Sequence, residues 1–189
     1  MKIHEVIITT CNKDGKHHIA PMGINIFDNE VIIKPFKPSK TLENLRETKS
    51  ATVNFIDDVR VFAGIVTGMK RKWDLERVSG NKVMRLKEAN SHFTLQVNTE
   101  SDDELRPKIS CDIIDRKIHK PFLGFNRAQF SVIEAAVLVS RLGRIPMDKI
   151  NKEIEYLKIG LDKTAGNAEL EAWSWIEEKI KSFEIKNDA

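Results

Sequence analysis

Cysteine is scarce in this chain. Cys11 and Cys111 are the only two among 189 residues, a hundred positions apart. That spacing excludes a disulfide framework and a zinc knuckle. Aromatic residues make up only 7%, and Trp73, Trp173 and Trp175 are not arranged as a stacking platform for bases. Charge of one sign is lacking too: 31 basic residues stand against 28 acidic ones, with no run of five or six like charges. The balance argues against a nucleic-acid partner, and the densest basic cluster, Met69 to Trp73, is followed at once by Asp74 and Glu76. No apolar run reaches membrane-spanning length, and the N-terminus has no apolar signal segment. A cytoplasmic protein with reduced thiols and no membrane partner is therefore expected. Glycine-bounded nucleophile elbows, Walker loops and the dinucleotide-binding glycine fingerprint are all missing. The five histidines (His4, His17, His18, His92, His119) have no partner four residues away, so no metal site is expected, and no catalytic acid or base can be assigned.

What is present reads as a β domain with a helical appendage. Ile3 to Cys11 is rich in Ile, Val and Thr, the residues of a strand. Asn12-Lys13-Asp14-Gly15 is a turn, His18 to Phe27 a second strand and Val31 to Phe36 a third. Pro21 places the second strand at an edge or an irregularity. Ser39 or Thr41 caps a short helix through Arg46, with Leu42 and Leu45 on its buried side. Ser50 to Ile56 is a strand, and Val59, Phe62, Ala63 and Val66 then recur at helical spacing. Gly68 to Asn81 reads as a long charged loop, and Arg85 to Ala89 as a turn of helix. His92 to Thr99 and Lys108 to His119 alternate as a hairpin pair. After Pro121 three helical stripes follow, the first capped by Asn126 and the third by Asn167. The expected organisation is a β domain over 1–122, with a loop or insertion at 69–82, and a three-helix subdomain over 123–189.

Two stretches carry candidate chemistry. Ser39, Lys40 and Thr41 stand at a helix start, where free backbone N–H groups and the helix dipole favour an anion; Asn44 lies one turn on. The same residues also read as an ordinary cap with surface charges. Ala20-Pro21-Met22-Gly23 is a strand of small residues that lets a flat ligand approach the backbone, or simply a bulged edge. Thr9, Thr10 and Asn54 offer further polar groups. Arg127, beside Asn126, reads either as a clamp for a carboxylate or phosphate or as an ion-pair partner of Glu134. Cys11 reads as a buried structural thiol.

The ordered series Glu5-Val6-Ile7-Ile8-Thr9-Thr10, Asp14-Gly15, Ala20-Pro21-Met22-Gly23, Pro35-Phe36-Lys37, Ser39-x-Thr41-x-x-Asn44-Leu45 and Val53-Asn54-Phe55 resembles an archaeal family. So do Phe125-Asn126-Arg127-Ala128, Ile133-Glu134-Ala135 and Ser140-Arg141-Leu142. It is the domain-of-unknown-function family 447, within the FMN-binding, flavin-reductase-like split β-barrels; the likeness leaves out Met69 to Lys82. The resemblance implies a six-stranded antiparallel Greek-key barrel that forms a homodimer and binds FMN. It implies a phosphate near Ser39, Lys40, Thr41 and Asn44, and a flavin ring near Thr10, Ala20 to Gly23 and Asn54. Thr9, Asn12, His18, Lys34, Pro35, Phe36 and Arg127 complete the expected cofactor-binding set. It implies an oxidoreductase of undefined substrate, with a non-catalytic holder of flavin, deazaflavin or haem as the alternative, because fold alone does not choose the chemistry.

Overall fold

Strand β1 (His4–Cys11) sends Val6 and Ile8 to one face and Ile7 and Thr9 to the other, and all four are buried. Being covered on both faces makes it a central strand. In the computed structural model, which describes residues 2–80 and 82–187, β1 pairs with β2 (His17–Phe27) on one side and β4 (Ser50–Phe55) on the other. β3 (Glu30–Ile33), β7 (Ser91–Ser101) and β8 (Lys108–Ile118) complete a closed antiparallel barrel in the order β1-β2-β3-β8-β7-β4. This is the six-stranded Greek-key arrangement that the resemblance implied. Its interior is filled by Val6, Ile8, Ile24, Val53, Leu95 and Ile109, among others. Helix α1 (Lys40–Thr48), between β3 and β4, adds Leu42 and Leu45 to that core.

β3 stops at Ile33, short of the expected Phe36. Pro35 has no N–H to give a ladder, and the segment that follows is tied elsewhere. Arg106 donates to the Lys34 carbonyl through Nε (3.2 Å) and Nη2 (3.0 Å), and the Lys37 N–H donates to the Leu105 carbonyl at 2.8 Å.

The expected charged loop is also different. β5 (Leu75–Arg77) and β6 (Met84–Leu86) form a two-stranded hairpin, so the turn of helix read over Arg85–Ala89 is instead a strand and its exit. Gly80 has φ +73 in the turn between them; Asn81 lies outside the described residues. Glu76 faces Arg85 across the hairpin, and Arg85 Nη2 donates to Glu76 Oε2 at 2.7 Å. Nη1 of Arg85 serves the carbonyls of Leu86 and Lys87, which lets a nearly buried guanidinium stay satisfied.

The chain forms two compact units. The barrel and the hairpin, up to Ile56 and over Asp74–Phe122, are the first; Asp57–Trp73 and the chain from Leu123 onward are the second. The second unit therefore includes α2 (Arg60–Thr67) as well as α3 (Arg127–Val139), α4 (Met147–Thr164) and α5 (Asn167–Asn187). The reason is apolar burial: Val59 and Ala63 share a core with Val132, Ala135, Trp173 and Ile176. Asn126 caps α3 as expected, accepting from the Ala128 and Gln129 N–H groups at 2.7 and 3.2 Å. Asn167 is the first helical residue of α5 rather than its cap; Glu169 Oε2 reaches back to the Gly166 N–H at 3.0 Å.

Candidate functional site

β3 pairs with β2 only from Ile24 onward, whereas β1 pairs with β2 all the way from His17 to Ile24. Residues 17–23 therefore have one edge bonded to β1 and no strand on the other. All seven are half-buried. Pro21 fits such an edge because it has no N–H to lose. Small Ala20 keeps the backbone there accessible. Met22 packs partly into the barrel core.

The end of β1 joins this edge to α1. Thr10 lies opposite His18 in the ladder, and Thr10 Oγ1 accepts from Asn44 Nδ2 at 2.9 Å. Thr10, Thr41 and Asn44 are all buried. At the helix start, Ser39 Oγ accepts from the Leu42 N–H at 3.3 Å, so Ser39 is the cap. The first-turn N–H groups of Lys40 and Thr41 are left pointing out of the helix end. Lys40 Nζ donates to Glu43 Oε2 at 2.7 Å, and this contact raises the lysine pKa. Both partners are exposed, so an anion at the helix end can compete with the carboxylate for that ammonium. Lys34, Pro35 and Phe36 lie in the strap leading to this helix. The Phe36 ring sits under the Arg106 guanidinium at 4.5 Å and is more than half exposed.

Several of the other expected site residues are also held by contacts within the chain. Asn54 is fully buried. Its Nδ2 donates to the Ile7 carbonyl at 3.0 Å and to Thr9 Oγ1 at 2.9 Å, and its Oδ1 accepts from the Leu86 N–H at 2.7 Å. The residue fastens the β5–β6 hairpin to β1 and β4. Thr9 is fully buried with it. Asn12 organises the β1–β2 turn, accepting from the Lys16 N–H at 2.8 Å. Gly23 is small for a reason internal to the chain: a Cβ there would stand 2.8 Å from Ile3 Cγ2. Arg127 opens α3 and belongs to the second unit.

One polar pair, a buried histidine against an exposed one, was not anticipated from the sequence. His92 Nδ1 and His119 Nε2 are 2.8 Å apart, with rings nearly parallel at 6°. His92 is only 2% exposed and its Nε2 has no protein partner. The hydroxyls of Thr52 and Thr94, directly paired across β4 and β7, are likewise buried without one. Burial, with the positive charges of His119 and Arg85, pushes the His92 pKa down to about 4. The predicted β7–β8 hairpin contained the necessary signal, because its register sets His92 opposite Lys117 and brings His119 alongside. Among the described residues no group of histidine, cysteine and acidic side chains could hold a metal, and no helix is long and apolar enough to cross a membrane.

Two family models match the chain. The N-terminal domain of a protein of unknown function (DUF447) matches residues 4–120, running through 69–82, and the companion DUF447 model matches 126–178. No protein of curated function matches it in sequence. An FMN-bound DUF447 protein from Methanosarcina mazei has the same fold over 94% of both chains, with a TM-score of 0.81 and 23% identity. A 2-nitrobenzoate 2-nitroreductase from Pseudomonas fluorescens aligns over 61% of this chain and 64% of its own, at TM-score 0.54 and 19% identity. The flavin reductase of a styrene monooxygenase from Pseudomonas putida S12 aligns over 62% of this chain and 82% of its own, at TM-score 0.52 and 10% identity.

Proposed function

The chain belongs to the DUF447 family, and from that premise we propose that it binds FMN and works as a flavin-dependent oxidoreductase of the flavin-reductase-like type. The observation that carries this reading is the edge of β2 at residues 17–23 that has no second strand beside it, linked through Thr10 and Asn44 to a capped helix start. The FMN carried by the Methanosarcina mazei protein of the same fold supports the choice of cofactor. So does the chemistry of the donor set. A flavin needs backbone donors and acceptors along the ring and an anion site for its phosphate. The β2 edge offers the first, and the outward N–H groups of Lys40 and Thr41 offer the second.

In this reading Ser39 holds the helix end in shape, Lys40 turns from Glu43 to the phosphate, and residues 18–22 lie along the ring. His18, opposite Thr10, is a titratable side chain on that edge, next to His17. When bound, the flavin supplies the electron chemistry, and the protein supplies orientation and exclusion of water. The homodimer belongs to the same proposal. It is supported by the exposed Ile114 and Ile118 on β8, apolar side chains that a partner would cover.

The test is the visible spectrum of purified protein, with mass identification of any released chromophore and titration with FMN. A two-banded yellow spectrum and released FMN are expected. Colourless protein that takes up no added FMN refutes the reading. A cofactor holder without turnover is the second reading, favoured by the engaged state of the polar groups around the edge: Thr10 and Asn44 bond each other, and Asn54 is spent on the hairpin. Flavin-dependent oxidation of NADH or NADPH by the purified protein would reject it.

A further inference from the structure

The second unit holds a pocket of its own. A cleft of about 130 Å³ between α3 and α4 is lined by Arg127, Phe130, Ser131, Tyr156, Leu157 and Gly160. The walls are fixed by polar staples. Asn126 Nδ2 donates to the Thr164 carbonyl at 3.0 Å, and Ser131 Oγ donates to the Leu157 carbonyl at 2.7 Å. Gly160 lets the helices approach this closely, since a Cβ there would stand 2.7 Å from Ser131 Oγ. A cleft held in this way is formed before any ligand arrives, and little ordering is required on binding.

Its chemistry is uneven in an informative way. Phe130 and Tyr156 line it yet remain 55% and 67% exposed, so the aromatic surface is offered to solvent rather than spent on the core. Arg127, at the same cleft, makes no ion pair and no side-chain hydrogen bond among the described residues. Arg60 by comparison is bound to both Asp58 and Glu171. A planar guanidinium presents paired N–H groups that match a carboxylate in bidentate fashion. The volume of the cleft matches a single ring. A cavity of about 150 Å³ holds one benzene, whereas sites for larger organic ligands run to about 300 Å³ and above.

We propose that the α3–α4 cleft is a small-molecule site for a single-ring aromatic carboxylate, with Arg127 taking the carboxylate and Phe130 and Tyr156 flanking the ring. Every residue the cleft uses lies in the second unit.

The experiment is a titration of the full-length protein with benzoate, followed by amide chemical shifts and repeated with and without added FMN. Saturable shifts are expected at residues 128–132 and 156–161, with a dissociation constant of about 1 mM or tighter, and the same in both series. Arg127→Gln should weaken benzoate at least about tenfold while leaving uncharged benzyl alcohol within about twofold, because only the carboxylate loses its charge-assisted bonds. No saturable shift in these segments overturns the proposal, as does equal loss of both ligands in the variant. Inorganic phosphate shifting the same amides as strongly as benzoate would show that the cleft does not read the ring, and would also overturn it. Signals there that move on dilution and ignore benzoate would assign the cleft to a second copy of the chain instead. Failure of FMN uptake alone leaves the benzoate result standing, so the two readings fail separately.

Discussion

Replacing Asn54 by alanine separates a ligand-binding role from a structural one. The side chain is fully buried and makes four hydrogen bonds, to the Ile7 carbonyl, Thr9 Oγ1, the Thr52 carbonyl and the Leu86 N–H. Alanine removes all of them and introduces no polar group in exchange. The Thr9 hydroxyl can rotate towards a carbonyl, and the Ile7 carbonyl retains a second lone pair for another donor. The Leu86 N–H has no such freedom, and one buried orphan of that kind costs about 1–3 kcal/mol. With the void left by the amide, the total loss should be about 2–4 kcal/mol. The damage should be local first, because Leu86 belongs to the hairpin strand that Asn54 fastens. Urea unfolding should show the lowered midpoint, and hydrogen exchange should show the Leu86 amide losing protection before the β1–β4 ladder does. Unchanged stability with a protected Leu86 amide would refute the reasoning. Lost FMN affinity at unchanged stability would make Asn54 a ligand group and refute it equally.

Three further outcomes are expected. His92 lies at about 4 in the folded protein and near 6.5 when unfolded, so its contribution is complete above pH 6.5 and is lost as pH falls from 6.5 towards 4. That loss amounts to about 3 kcal/mol. Urea midpoints measured across that window should fall in the wild type and fall less in His92→Gln; parallel curves would contradict the burial argument. Asn126→Ala removes the α3 cap and the bond to Thr164, and should cost about 1–2 kcal/mol by urea unfolding followed through tryptophan fluorescence. Cys111 is fully buried and its pKa is pushed up to about 12 by that burial, so it should resist iodoacetamide in the native protein and react once urea unfolds it. Rapid native labelling at Cys111 would show that the barrel opens readily.

The division between what the sequence disclosed and what it hid follows the range of the interactions. Strands β1, β2, β4, β7 and β8 were legible because period-two alternation and the turns between them are local properties, and α1 because Ser39 and its Leu42 N–H are three residues apart. The β5–β6 hairpin was not legible. Its strands are three residues each and charged, and it is held by Asn54, 32 positions from Leu86, and by an arginine that is buried only once the hairpin exists. α2 was read correctly as a helix, but its membership of the second unit depends on contacts with α3 and α5, which begin sixty and a hundred residues after it ends. The candidate site divides in the same way. Residue type marked Ser39, Thr10, Asn44 and Asn54 alike as polar groups near a ligand. Only the fold distinguishes a side chain already engaged from a backbone edge left open. Asn54 spends its amide on β1 and β6, and Thr10 and Asn44 bond each other. The β2 edge, by contrast, has no strand beside residues 17–23. The groups best able to hold a flat cofactor are therefore the backbone amides and carbonyls of β2 and the first turn of α1. Side-chain substitutions at the buried polar positions should disturb stability more than they disturb recognition.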